Sequence, residues 1–190
     1  MTTPTLEYLK DLQQEMLLLH ARPPIVHTDS TPTTGDKPMQ TFLTTFDPSD
    51  RLGSYITTFT QLDPKRRGNQ VFREGITLLR GKWPNHPAAK LWAPYREELA
   101  IYLLAGLVVL NAQSRSSKYL DRPWATEILD AAKHAAATGA SGRRYPPIFD
   151  NPRFCAGHRA ALLAKDPDWY SRFGWTETPE PDTKRAYIWE

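Results

Sequence analysis

The sequence predicts an all-α protein: a compact irregular bundle of about five to six helices with long loops and an aromatic C-terminal tail. Three observations predict it. Apolar residues recur at helical spacing in one segment after another. Several of those segments open on a capping residue beside a proline, as at Thr3–Pro4, Asp47–Pro48, Asp63–Pro64 and Asn85–His86–Pro87. A short polar side chain accepts from an orphan backbone N–H there, and proline lacks the donor that a first turn leaves unpaired. The longest apolar run, Ala100 to Leu110, falls short of the roughly 20 residues a membrane helix needs. It reads as a helix buried all round.

Taken in order, Thr3 and Pro4 start a helix whose Leu6, Leu9, Leu12, Met16 and Leu19 share a spacing, ending before Pro23–Pro24. Residues 22–38 are rich in Pro and Thr and read as a linker or extended strap. The first 38 residues are therefore an appendage, and residues 39–190 the main domain. MQTFLTTF, from Met39, is a short β-like or extended run. Asp47 to Asp50 cap a helix with Leu52, Tyr55, Ile56 and Phe59 on one stripe. A helix from Asp63 follows, with Gly81 and Pro84 as its stop. Another starts near His86, is interrupted by Pro94 and continues as the buried helix over 95–112. Asp121 to about Ala137 is amphipathic, with Trp124, Ile128 and Ala132 inward. A loop over 139–152 carries Arg143, Arg144 and Tyr145. Phe154 to Lys165 is a short helix whose Phe154, His158, Ala161 and Lys165 share a face. Asp166 and Asp168 read as turn residues in an irregular tail.

The totals bound the class. The chain has 190 residues and a net charge of +3, enough for one domain with a core and an appendage. Its single cysteine, Cys155, excludes an internal disulfide and a Cys-rich zinc site. The N-terminus lacks a basic region and a cleavage site for secretion, so a cytoplasmic, nucleoid-associated monomer is expected. The five histidines share no metal-ligand spacing, and no HExxH, P-loop or GxGxxG pattern occurs. No cofactor is expected.

Against that near-neutral background, residues 62–90 hold seven Lys or Arg and two acids. At about 100° per residue, Arg66, Arg67, Asn69, Gln70, Arg73, Glu74, Thr77 and Arg80 share one arc of the helix from Asp63. Val71, Phe72, Ile76, Leu78 and Leu79 fill the other, with Gly68 and Gly75 stacked where a neighbouring helix can approach. A basic face is often only solvated surface. Here Trp83, His86 and Trp92 follow at once, able to stack beside donors suited to phosphates. The strip reads as a nucleic-acid surface.

Glu74 leads the candidates for chemistry, since a carboxylate on a cationic face can act as general base or electrostatic stabiliser. The plainer alternative is a surface pair with Arg67, Gln70 or Arg73. His86 can serve a helix start as well as catalysis, and His158 can be a satisfied half-buried histidine. Trp169, Tyr170, Phe173 and Trp175 are either core plugs or a stacking wall.

The order KRRGNQVFRE, WPNHPAAKLW, GHRAALLAKDPDWYSRFGW and YIWE resembles the pyrimidine-dimer DNA glycosylase, or endonuclease V, family of phages and bacteria. It is most similar to an uncharacterised branch that begins MQTF and carries an NHPAxxMW segment. The resemblance covers Met39 to Glu190, about four-fifths of the chain. It implies a compact, helical, metal-independent enzyme that kinks duplex DNA at a pyrimidine dimer and displaces a base. A terminal α-amine then attacks C1′, and the imine β-eliminates and nicks the strand. The family's aromatic–Arg–Glu triplet is matched by Phe72–Arg73–Glu74, which makes Glu74 the essential acid and Arg73 its phosphate-holding neighbour. Its Trp–Tyr element is matched by Trp169–Tyr170.

The nucleophile departs from that pattern, because the family-like part begins at Met39. Thr2, exposed once Met1 is removed, offers an α-amine with a pKa of about 7.7–8.0 if the first helix and strap return it to the site. A start at Met39, a desolvated Lys65, Lys82 or Lys90, or water activated by Glu74 or Asp63 are the other routes. The expected activity is thus a DNA glycosylase, with AP-lyase activity if an amine attacks, acting on damaged or modified pyrimidines. Catalysis falls to Glu74, Arg73 and Thr2. The duplex surface comprises Lys65, Arg66, Arg67, Asn69, Gln70, Arg80, Lys82, Trp83, Asn85, His86, Lys90, Trp92, His158, Arg159, Lys165, Trp169 and Tyr170. A non-catalytic DNA-binding module using the same groove is the rival reading, and a purely structural helical protein the third.

Overall fold

Asp50 opens the helix Arg51–Gln61 by accepting from Gly53 N at 3.0 Å. The structure, a computed structural model, describes residues 41–114, 119, 122–138 and 145–180. The expected N-terminal helix, the strap, Thr2, Met39, Arg143, Arg144 and the final YIWE lie outside the described residues. Within them the fold is all-α and no strand occurs. The helices are α1 (Arg51–Gln61), α2 (Pro64–Asn69), a π-helical turn (Gln70–Gly75) running straight into α3 (Ile76–Leu79), α4 (Pro87–Trp92), α5 (Arg96–Ser114), α6 (Pro123–Thr138), α7 (Pro152–Lys165) and α8 (Pro167–Tyr170). Short 3₁₀ turns occupy Ala93–Tyr95, where Pro94 breaks the helical run, and Pro147–Asp150 and Ser171–Phe173. No helix among the described residues is long and apolar enough to cross a membrane.

α5 is the axis. Leu99, Ala100, Leu103, Ala105 and Val109 have no exposed surface, and α1 and α6 pack along it. A helix apolar on every side is stable only when surrounded, and the flanking elements supply that cover. Two glycines set the spacing. A Cβ on Gly106 would stand 2.6 Å from both the Phe59 ring and Val71 Cγ2. One on Gly75 would overlap Leu103 Cδ2 and stand 2.5 Å from the Gln70 carbonyl oxygen. The expected close approach therefore occurs at Gly75, whereas Gly68 is covered by Phe72 of its own helix. Gly75→Ala is expected to cost about 1–3 kcal/mol by overpacking, read as a lower urea midpoint with an unchanged slope.

Residues 41–44 run buried through the helices with no regular secondary structure, Thr44 forming a bend. A buried backbone needs every polar group paired, and here side chains do it. Phe42 N donates to Gln70 Oε1 at 3.0 Å, and its carbonyl accepts from Tyr102 Oη at 2.8 Å. Leu43 N donates to His158 Nδ1 at 3.0 Å, and Thr44 N to Thr58 Oγ1 at 3.1 Å. Arg159 Nη1 donates to Thr44 O at 2.6 Å, while Trp92 Nε1 donates to Thr41 Oγ1 at 2.9 Å. One threaded segment thus fixes α1, the π turn, α4, α5 and α7 relative to one another.

Asp63 caps α2, as its position before Pro64 implies. Its Oδ1 accepts from Lys65 N and Arg66 N at 3.1 Å each, and its Oδ2 from Arg66 Nη1 at 2.6 Å and Tyr170 Oη at 2.7 Å. Burial opposes the charge, but the Arg66 guanidinium and these hydrogen bonds outweigh it and hold the carboxyl below its ordinary pKa of 3.8. A folded-state pKa below the unfolded value gives stability that is complete above the unfolded pKa and lost as pH falls through the folded one. The expected result is acid destabilisation setting in below about pH 4, with a shallower stability–pH slope in Asp63→Asn, measured by urea unfolding at stepped pH.

Candidate functional site

The helix from Pro64 does not keep the predicted arcs. Its interior contacts come from Arg67, Gly68, Gln70, Val71, Gly75, Ile76 and Leu78. Phe72, expected inward, is 41% exposed, with its ring 5.8 Å from Trp124. The cause is the π turn, in which Ile76 N reaches back to Val71 O. One such wide turn adds a residue and rotates all that follows relative to an α-helical count.

Glu74 sits at this turn, half-buried. Gln70 Nε2 donates to Glu74 Oε2, so the sequence's alternative partner is present. That amide is itself fixed, because Gln70 Oε1 accepts from Phe42 N at 3.0 Å and Tyr102 Oη at 3.1 Å. The carboxylate is therefore oriented by a buried relay that starts in residues 41–44. Arg73, beside it, is exposed, as are Lys65, Lys82, Asn85 and Lys90. Asn69 is half-buried. Lys82 and Trp83 lie in the turn after α3, where Gly81 takes φ +68° and Trp83 φ +56°. His86 Nδ1 accepts from Ala88 N at 3.1 Å, capping α4, and burial pulls the imidazole below its ordinary pKa. The structural alternative for His86 is thus the one realised.

Five residues expected on the duplex surface lie inside. Arg67 is 4% exposed, and its guanidinium donates to Phe59 O at 2.5 Å, to Thr60 O at 3.0 Å, to Leu62 O and to Gln113 Oε1. It serves the carbonyl end of α1 as a C-terminal cap, and burial pushes its pKa down to about 10, leaving it charged at neutral pH. Gln70, Trp92 and His158 are buried against residues 41–44. Tyr170 is buried on Asp63. A phosphate cannot reach these groups, because the interior already uses them.

Others are half-available. Arg66 pairs with Asp63, Arg80 with Glu127 at 2.6 Å, and Arg159 with Glu177 at 2.5 Å. Lys165 is half-buried. Trp169 donates from Nε1 to Gln61 O at 2.9 Å, and the Arg172 guanidinium lies 3.4 Å over its ring. Phe173 and Trp175 also pack on the core, so the core-plug alternative describes this tail.

No protein-family model, no curated protein and no solved structure matches the chain. The site therefore stands on its own geometry. What the structure brings together is an oriented carboxylate at Glu74, the exposed Phe72 and Arg73 next to it, and exposed cations at either end of the same helical run. Among the described residues no group of His, Cys, Asp and Glu is placed to hold a metal ion. Phe72 escaped the sequence reading because helical periodicity assigns it to the core. The extra residue of the π turn leaves no local signal.

Proposed function

We propose that the chain is a DNA N-glycosylase that excises damaged pyrimidines from duplex DNA, with Glu74 as its catalytic carboxylate. One observation supports this above the others: Glu74 is held by a buried amide that is itself pinned to backbone, on a helical run otherwise edged by cations. A scaffold that orients a carboxylate so firmly suits general-base or electrostatic work, in which positioning before the reaction matters most. At a C1′ undergoing base loss, positive charge develops on the sugar, and a fixed anion stabilises it. The same anion can take a proton from the attacking water or amine.

The exposed Arg73, Lys65, Lys82 and Lys90 supply phosphate contacts, which position a duplex without reading its sequence. Flipping the target costs a few kcal/mol and least at a damaged base, so selectivity for lesions needs no dedicated base-reading side chain. An amine nucleophile adds strand scission through an imine, whereas water gives base release alone.

The test incubates the full chain with UV-irradiated duplex, with and without borohydride. Release of pyrimidine-dimer bases supports the glycosylase, and a borohydride-trapped complex identifies the amine route. Salt-dependent binding without base release from any damaged substrate would leave a non-catalytic DNA-binding module. Unchanged mobility with DNA at low salt would leave neither.

A further inference from the structure

We propose that Trp83 is a wedge whose indole enters a base step of duplex DNA and kinks it, with Lys82 on the adjacent phosphate; the proposal rests on reading the chain as a DNA-acting protein. Trp83 is 57% exposed, against 2% for Trp92, while Trp124, Trp169 and Trp175 lie partly buried on the core. Its ring meets that of His86 at 6.4 Å between centroids. Packing therefore does not account for the largest side chain in the alphabet at this position.

Backbone demand does not account for it either. Trp83 has φ +56°, a left-handed conformation that bulky residues rarely adopt. It also precedes Pro84, which restricts its backbone further. Glycine would meet the same turn without strain. The conformation is imposed from both sides. Gly81 N donates to Leu78 O at 2.9 Å and Lys82 N to Thr77 O at 3.0 Å, closing α3, while His86 N donates to Trp83 O at 2.9 Å. A turn fixed at both ends holds the indole out in solvent instead of letting it fold back. Strain kept in place by its surroundings is a mark of functional turns.

Charge decides what the indole meets. From Arg80 to Arg96 the chain carries Arg80, Lys82, Lys90 and Arg96 and no carboxylate. Arg80 is paired with Glu127, and Arg96 donates to Leu79 O. Lys82, next to the indole, and Lys90 are exposed. An exposed aromatic edge set among cations fits stacked bases rimmed by phosphates, and apolar wedges of this kind unstack a step and bend the duplex. Glu74 would then act on a nucleotide loosened by the bend.

The experiment uses the full chain and a duplex containing a thymine dimer, labelled at both ends so that bending raises energy transfer. Wild type is expected to raise transfer on binding. Trp83→Ala is expected to abolish that rise at saturation and to weaken binding about tenfold, with the salt dependence unchanged. Trp83→Phe should keep most of both. Trp83→Gly should lose the bend yet melt higher than wild type, because the strain is relieved, which removes misfolding as an explanation. Wild-type bending that survives in both Trp83→Ala and Trp83→Gly overturns the wedge, even if base release stands. Bending that depends on Trp83 without base release from any lesion supports the wedge and sinks the glycosylase. A wild type that does not bind duplex at low salt, or binds without bending it, overturns the wedge.

Discussion

Glu74→Gln is expected to lower base release from UV-irradiated duplex by about 10²–10⁴-fold, the range for losing a positioned acid–base group, while the affinity for DNA changes less than about twofold. The substitution is matched in shape. The new side-chain carbonyl still accepts from Gln70 Nε2, so the relay through Gln70 to Phe42 N survives. The negative charge and the proton-accepting capacity are removed. The measurement is single-turnover release of the excised base, paired with binding by fluorescence anisotropy at fixed salt. Gln70→Ala completes the comparison by leaving the carboxylate and removing its orienting amide. Release should fall there too, with a loss of stability from the Phe42 N left unpaired. A Glu74→Gln variant that releases base like wild type would end the catalytic assignment.

Arg67→Ala is expected to be the most destabilising single change on the helical run that carries Glu74. The guanidinium satisfies the carbonyls of Phe59, Thr60 and Leu62, all close to the end of α1. Each buried carbonyl left unpaired costs about 1–3 kcal/mol. Removing a desolvated cation returns part of that, so a net loss of about 3–5 kcal/mol is the expected figure. For a chain of this size one kcal/mol moves the melting temperature by about 2–4 °C, so a drop of roughly 6–20 °C should appear in thermal unfolding. Arg67→Lys should rescue little, because one ammonium cannot reproduce a planar fork of donors. Lys65→Ala, its exposed neighbour, should stay within about 0.5 kcal/mol of wild type. If Arg67→Ala instead melted like wild type and reduced the salt slope of DNA binding by about one, Arg67 would belong to the interface after all.

What was legible in the sequence, and what was not, divides along the range of the interaction. Helix starts at Asp50, Asp63 and His86 are set by side chains bonding backbone two or three residues away, and sequence spacing carries that directly. The all-round apolar α5 and the break at Pro94 were visible for the same reason. The polar side chains of the interior were not. Gln70 answers a backbone group 28 residues away, and His158 one 115 residues away, so no local pattern separates them from surface polar residues. Arg67 misled for a related reason. A guanidinium among other guanidinium groups reads as solvated charge, and only the returning end of α1 reveals its carbonyl partners. Glu74 with an exposed Arg73 was visible as a carboxylate on a cationic arc, whereas the amide that orients it was assigned to the wrong surface.

The widened turn at Gln70–Gly75 works like a vernier. The stretch before it and the stretch after it are each indexed to α5 separately, so the acid at the join belongs to neither phase. Closing the ladder there as ordinary helix with the same residues would swing Ile76 and Leu78 by about 100° away from the hydrophobic floor they now complete. The molecule cannot shed that offset and keep its footing, which ties the carboxylate's aim to the integrity of the whole bundle.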